Sequence, residues 1–236
     1  MNFLIYGDDN RHAILSNLFI EAGFNLRTPA DLLILSPKES ISAHNDEINK
    51  DCLIWGGSSS DAGSLQSSGY RKIKQRDSFR MRNSIYTAEG ALSLAITTTK
   101  VAICESIVFV LGYGFLGKEC ARLFSALGAT VTVYTEEQTE LRDAAQAGFS
   151  TKSISELSVL NHAILINTIP YPVLDPLPLI CKESTALLIE LASTTCLTKT
   201  VDGLQILPAG ALPSRFSPES AAKLMFEEIL YHLKKE

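Results

Sequence analysis

Three glycines stand in the order Gly112-Tyr113-Gly114-Phe115-Leu116-Gly117, a spacing suited to cradling the pyrophosphate of a dinucleotide. Gly112 makes the tight turn, Gly114 lets a phosphate approach the backbone, and Gly117 lets a helix pack close on the strand before it. The N-terminus of that helix then offers N–H groups and the positive end of its dipole. Such a turn is weak evidence alone, and its neighbours give it weight. The apolar run Ile107-Val108-Phe109-Val110-Leu111 precedes it, a helical apolar pattern follows to Leu127, and Thr130-Val131-Thr132-Val133-Tyr134 closes the unit as a second strand. The competing reading is a structural glycine turn that holds no ligand.

In parallel sheets flanked by helices, ligands lie outside the carboxyl ends of the strands, so the residues following each strand carry the next candidates. After an expected strand at 163–167 comes Asn167-Thr168-Ile169-Pro170, whose amide and hydroxyl suit a ribose or nicotinamide and whose proline fixes the loop. After 186–191 comes Ala192-Ser193, and after 204–207 comes Pro208-Ala209-Gly210-Ala211-Leu212-Pro213-Ser214-Arg215. The competing reading for each is turn chemistry with capping side chains, but the glycine turn places a ligand on that side and favours a contact from at least one of the three. Cofactor choice turns on the end of the second strand, Tyr134-Thr135-Glu136-Glu137: carboxylates there repel a 2′-phosphate and favour NAD over NADP. The same two glutamates also suit the start of the next helix. The cofactor is therefore NAD or NADP, with Gly112, Gly114, Phe115, Leu116, Gly117, Tyr134, Thr135, Glu136, Asn167, Thr168, Ile169 and Pro170 as candidate contacts.

The elements that must hold these residues alternate strand and helix. Strands at 107–111, 131–134, near 149, 163–167, 186–191 and 204–207, with helices at 115–127, 136–147, 153–160 and 219–233, predict a doubly wound parallel sheet in the order 3-2-1-4-5-6. Before it, strands at 3–6, 32–35 and 52–55 and a helix to Glu21 predict a smaller α/β domain. The fold class is α/β, with domains at 1–86 and 87–236. Thr87 reads as the N-cap of a helix at 88–98 that links the two. Residues 56–64, rich in glycine and serine, read as a connector or mobile lid in preference to a second phosphate loop. Six basic residues between Tyr70 and Arg82 read as a solvated face, with anion recognition as the alternative. Ser217-Pro218-Glu219 starts the last helix, whose N-terminus suits a carboxylate unless Glu219 already satisfies the dipole.

Composition narrows the classes. The chain has 236 residues, 46% hydrophobic and 20% charged, with a net charge of −5, which offers no broad basic surface for nucleic acid or anionic lipid. Five scattered cysteines without a C-x-x-C spacing suggest neither a disulfide framework nor a zinc site, so no metal is expected. The N-terminus lacks a signal-peptide pattern and no apolar run approaches membrane-spanning length, which fits a cytoplasmic protein.

The segments Arg76-Asp77, Asn83-Ser84-Ile85-Tyr86-Thr87-Ala88-Glu89-Gly90, Leu111-Gly112-Tyr113-Gly114, Phe124-Ser125-Ala126-Leu127-Gly128-Ala129, Ile166-Asn167-Thr168-Ile169-Pro170, Leu191-Ala192-Ser193 and Ala211-Leu212-Pro213-Ser214-Arg215-Phe216-Ser217-Pro218 together resemble the A-subunit family of dipicolinate synthase. The likeness covers most of the chain from Arg76 onward. It implies a sporulation enzyme that, with the flavoprotein-like B-subunit of dipicolinate synthase, converts a dihydrodipicolinate-type compound to dipicolinate using a nicotinamide cofactor. The chain departs from the family at Tyr86, where a proline is usual, at Thr194-Thr195-Cys196 in place of proline-glycine-glycine, and at Ala211-Leu212-Pro213-Ser214 in place of Gly-Leu-Pro-Gly. Glu136 stands where the family carries an arginine suited to NADP, and the N-terminal domain is shorter than usual.

A flat dicarboxylate needs cationic or N–H partners at both ends, and Arg82, Asn83, Thr87, Ser193, Ser214 and Arg215 are the candidates. No residue stands out as general acid or base: His12 falls on the first helix and His162 precedes a strand. A second reading is a non-catalytic paralogue that binds a dinucleotide and serves as a regulatory subunit or partner. The third, a hydroxyacid or amino-acid dehydrogenase sharing only the fold, needs a catalytic His or Lys. Homo-oligomerisation is left open.

Overall fold

In the computed structural model the chain runs through β1 (Asn2–Tyr6), α1 (Arg11–Glu21), β2 (Asn25–Leu26), β3 (Ala30–Leu35), β4 (Ile48–Gly56), β5 (Arg71–Lys72) and α2 (Asp77–Thr98). It continues through β6 (Ile107–Leu111), α3 (Phe115–Ala126), β7 (Thr130–Tyr134), α4 (Gln138–Gln146), β8 (Ser150–Lys152) and β9 (Ala163–Asn167). Last come β10 (Ala186–Glu190), β11 (Leu204–Pro208), α5 (Leu212–Phe216) and α6 (Pro218–Leu233). The described residues are 1–58, 69–181 and 186–235, so most of the connector expected at 56–64 lies outside them. Among them no helix is long and apolar enough to cross a membrane.

Two compact units result, one of Met1–Arg82 with Ser217–Glu236 and one of Asn83–Phe216. The first holds a five-stranded sheet in the order β2-β1-β3-β4-β5, every pair parallel. Its central strand β3 carries Leu32-Leu33-Ile34-Leu35, all buried, as a strand covered on both faces requires. On α1, Leu15 and Phe19 turn inward, and the Phe19 ring meets Phe3 at 5.2 Å and Phe226 of α6 at 4.8 Å. That packing places α6 in the first unit, whereas the sequence reading kept residues 217–236 with the second domain.

The second unit is a six-stranded parallel sheet in the order β11-β10-β9-β6-β7-β8, the expected doubly wound order read from its far edge. Strand alternation divides its core. Val108 and Val110 face a layer that includes Ala88, Ala91 and Ala95 of α2 and Phe124 of α3. Leu111, Leu165 and Leu188 face Leu157, Leu160, Leu174 and Leu197 of the irregular segments on the other side.

Two helices differ from expectation. α2 begins at Asp77, eleven residues before the expected start at 88. Thr87 is inside the helix and its hydroxyl donates back to the Asn83 carbonyl oxygen at 2.8 Å, a bond that an interior threonine makes and an N-cap does not. The helix expected at 153–160 is only a 3₁₀ turn at Ile154–Glu156, capped by Ser153. Beyond it the Leu160 N–H donates to the Ile180 carbonyl and the Ile180 N–H to the Ser158 carbonyl, at 2.9 and 2.8 Å, so the backbone pairs across the chain instead of along a helix.

Candidate functional site

The glycine turn sits at the carboxyl end of β6, in the middle of the second unit's sheet. Gly112 has φ of +86°, a left-handed conformation, and its N–H donates to the Tyr134 carbonyl at 2.8 Å, which ties the turn to the end of β7. A Cβ on Gly117 would lie 2.2 Å from the Gly112 carbonyl oxygen, so only glycine lets α3 approach β6 this closely. Gly114 differs from both. It caps α3 with no side-chain hydrogen bond, and a Cβ there would meet only Glu140 Oε1, at 3.9 Å. The turn therefore has two glycines fixed by protein contacts and one with room beside it at the N-terminus of α3, its nearest neighbour the Glu140 carboxylate.

The end of β7 supplies the next wall. Tyr134 is buried against Phe109, with ring centroids 5.2 Å apart and its hydroxyl pKa pushed up by that burial, so only its backbone reaches the turn. Of Tyr134, a candidate cofactor contact, the backbone carbonyl is the part tied to the turn. The exposed Glu136 departs from expectation, accepting from Ser153 Oγ at 2.8 Å and the Ser155 N–H at 3.2 Å. Glu140, four residues later on α4, does reach the turn: its Oε2 accepts from the Tyr113 N–H at 2.8 Å and from Thr135 Oγ1 at 2.7 Å. The sequence reading missed Glu140 because it falls in the first turn of a helix, where acidic residues need no further reason.

The loop after β9 is built from inside. Asn167 is fully buried, its Nδ2 donates to Glu190 and to the Ile169 carbonyl, and its Oδ1 accepts from the Ile169 N–H at 3.0 Å. The amide expected to meet a ligand is thus committed to shaping residues 167–169. Glu190, itself buried, also accepts from the Cys196 N–H at 2.8 Å and the Thr195 hydroxyl at 3.3 Å, and burial beside this carboxyl pushes the Cys196 thiol pKa up. Thr168 donates its hydroxyl to the Leu111 carbonyl at 2.7 Å. Ile169 packs against Gly112, where an added Cβ would come within 3.0 Å of it, and Pro170 is exposed beside them.

Of the six residues expected to hold a dicarboxylate, Asn83 and Thr87 lie one turn apart on α2, with the Thr87 hydroxyl taken by Asn83. Arg82, in the first unit, pairs with Glu227 at 2.6 Å. Ser214 is buried in α5, whereas Arg215 and Ser193 are exposed. α5 lies tight on α2: a Cβ on Gly90 would stand 2.7 Å from Leu212 Cβ. Among the described residues no group of three or more His, Cys, Asp or Glu could hold a metal ion.

No family model matches the sequence. The A-subunit of dipicolinate synthase from Bacillus subtilis (strain 168) is 33% identical over 193 residues, covering 77% of this chain and 65% of that protein. The chain thus spans just under two thirds of that relative's length. A crystal structure of the dipicolinate synthase A-subunit from Bacillus halodurans matches with a TM-score of 0.81 at 23% identity, over 100% of this chain and 98% of that one. D-lactate dehydrogenase from Escherichia coli, in its apo form, matches with a TM-score of 0.70 at 10% identity, over 100% and 97%. At such identities the structural likeness shows the fold, two parallel sheets with flanking helices.

Proposed function

From its place as a homologue of the dipicolinate synthase A-subunit, we propose that this chain is an oxidoreductase that converts a dihydropyridine dicarboxylate to the aromatic dicarboxylate. The ring loses a hydride from carbon and a proton, and a nicotinamide dinucleotide supplies the hydride acceptor at its C4. The observation that carries this reading is the glycine turn: Gly117 lies so near the Gly112 carbonyl that a Cβ would come within 2.2 Å, while Gly114 is left open at the N-terminus of α3.

The chain's own work is placement. Gly114 and the first turn of α3 would take the pyrophosphate, with the end of β7 beside the adenosine ribose. The ledge Thr168-Ile169-Pro170, stiffened from beneath by Asn167 and Glu190, would set the plane of the nicotinamide. Exposed Arg215 and Ser193 are the best placed of the six candidates to take a carboxylate, since the hydroxyls of Thr87 and Ser214 are bonded or buried. Holding two rings in line while excluding water is the main catalytic contribution expected of such a protein, because aromatisation drives the hydride step. The homology also brings a flavoprotein-like B-subunit partner, a sporulation role and a cytoplasmic setting into this proposal.

A second reading is favoured by the histidines. The four stand at 12, 44, 162 and 232, and the one in the second unit, His162, precedes β9 and so sits at the end of the sheet away from the glycine turn. A chain without a histidine at that turn suits a dinucleotide-binding regulatory subunit or partner that turns nothing over. The test is ultraviolet detection of the aromatic dicarboxylate after adding fresh dihydrodipicolinate with NAD or NADP, with and without a dipicolinate synthase B-subunit. Formation above the spontaneous rate is the expected result. Cofactor binding without acceleration in any combination would overturn the enzymatic reading in favour of the second one.

A further inference from the structure

We propose that Glu140, and not Glu136, is the residue that selects the cofactor in this chain, its carboxylate taking the adenosine 2′-hydroxyl and rejecting a 2′-phosphate. The inference rests on the dinucleotide reading above and adds to it the residue that sets its specificity. In doubly wound sheets the ribose lies between the glycine turn and the end of the second strand, where an acidic side chain accepts its hydroxyls. Glu140 occupies that place although it is 27 residues beyond Tyr113 and already inside α4. Its Oε2 bridges the Tyr113 N–H of the glycine turn and the Thr135 hydroxyl just past β7, at 2.8 and 2.7 Å. Both bonds go to one oxygen. The other, Oε1, stands 3.9 Å from where a Cβ on Gly114 would be.

Glu136, at the usual position for this task, belongs to another network. It accepts from Ser153 Oγ and the Ser155 N–H, and Ser153 itself caps the 3₁₀ turn at Ile154–Glu156. The carboxylate that meets the glycine turn thus comes from α4 and not from the residues that follow β7. Thr135, with 2% of its surface exposed, holds the arrangement from below: its hydroxyl donates to Glu140 and accepts from the Glu137 N–H at 3.2 Å. Of the cations on α3 and α4 near this corner, Lys118 has its charge matched by a carboxylate. Lys118 is paired with Asp143 at 2.8 Å, and Arg142 gives its Nε to the Gln138 carbonyl at 3.3 Å. A 2′-phosphate would therefore bring its negative charge to within a few ångströms of a carboxylate, against the Coulomb repulsion of the pair.

The experiment is calorimetric titration of the full chain with ADP-ribose and with 2′-phospho-ADP-ribose, for the wild type, Glu140→Gln, Glu140→Asp and Glu136→Gln. The wild type is expected to prefer ADP-ribose by about a hundredfold, and Glu140→Gln to narrow the preference at least about tenfold, or about 1.4 kcal/mol. Glu140→Asp keeps the charge and should keep the direction of the preference, and Glu136→Gln should leave the ratio within about threefold. Thermal melts of the same proteins check that each variant is folded; if the glutamine variant is not, Glu140→Ala takes its place, with the same narrowing expected and an unchanged preference counting against the assignment. A preference unchanged in Glu140→Gln, one that narrows equally in Glu136→Gln, or a wild type that prefers the 2′-phosphate would overturn the assignment and leave the dinucleotide site standing. Binding of neither ligand to the folded wild type would instead overturn the dinucleotide reading itself.

Discussion

Replacing Gly117 by alanine tests the close contact on which the site depends. The new methyl carbon would lie 2.2 Å from the Gly112 carbonyl oxygen and 2.9 Å from its carbon, both backbone atoms that cannot rotate away. Restoring an ordinary contact of about 3.2 Å needs α3 to move off the end of β6 by about 1 Å, and overpacking of this kind costs about 1–3 kcal/mol. Alanine in a helix recovers up to about 1 kcal/mol of that through its better propensity, so a net loss of about 1–2 kcal/mol is expected in urea titrations. The functional loss should be larger. A misplacement of about 1 Å at a positioning element lowers turnover on the order of a hundredfold. Gly114→Ala separates the two effects, because a Cβ there meets only Glu140 Oε1 at 3.9 Å and φ of −69° suits any residue. It should change stability by less than about 1 kcal/mol, the scale of an N-cap exchange, while weakening binding of a dinucleotide measured by calorimetry. A Gly117→Ala protein as stable as the wild type that binds as tightly would refute the reasoning, and so would a Gly114→Ala protein with undiminished affinity.

The other predictions concern the elements that carry the site. Gly90→Leu drives a side chain into Leu212, whose Cβ would be 2.7 Å from the new one, and should lower stability by about 1–3 kcal/mol, read by urea unfolding. Asn167→Ala leaves buried Glu190 without one of its donors and should cost about 1–3 kcal/mol with loss of order at 167–170, seen in amide exchange. Glu228, 1% exposed, binds Arg76 through the guanidinium and the backbone N–H; burial raises its pKa, but these bonds together outweigh it and hold the carboxyl below its ordinary 4.5. A depressed folded pKa means that this stabilisation is complete above 4.5 and is lost as pH falls through the lower folded value. Glu228→Gln should therefore be less stable than the wild type at pH 7, with the difference shrinking below pH 4.5 in melts across that range; a difference constant with pH would refute it.

The central strands and the glycine turn were legible because a short sequence period dictates them. Buried parallel strands need uninterrupted apolar runs, such as Leu32-Leu33-Ile34-Leu35, bounded by turn residues. The start of α2 was not legible, because Thr87 before an apolar run has the form of an N-cap, and only its bond to the Asn83 carbonyl shows that the helix is already well under way. Nor was the shortness of the turn at Ile154–Glu156, since its competing partner Ile180 is distant in sequence. The role of Asn167 was half visible: the residue belongs to the site's architecture, but whether an amide faces a ligand or its own loop depends on Glu190 on the neighbouring strand.

By itself the sequence determined the α/β class, the strand order of the second unit and the place of the glycine turn. These follow from periodicity and from the φ values and close approaches that only glycine allows, which are local properties of the chain. Only the tertiary structure decided that α6 packs on α1 through Phe226 and Phe19, that Glu136 turns toward Ser153, and that Glu140 reaches Tyr113 and Thr135. Each of these is a choice among partners that the sequence leaves equivalent. A charged or aromatic side chain on a helix suits several partners equally until packing places one of them within reach.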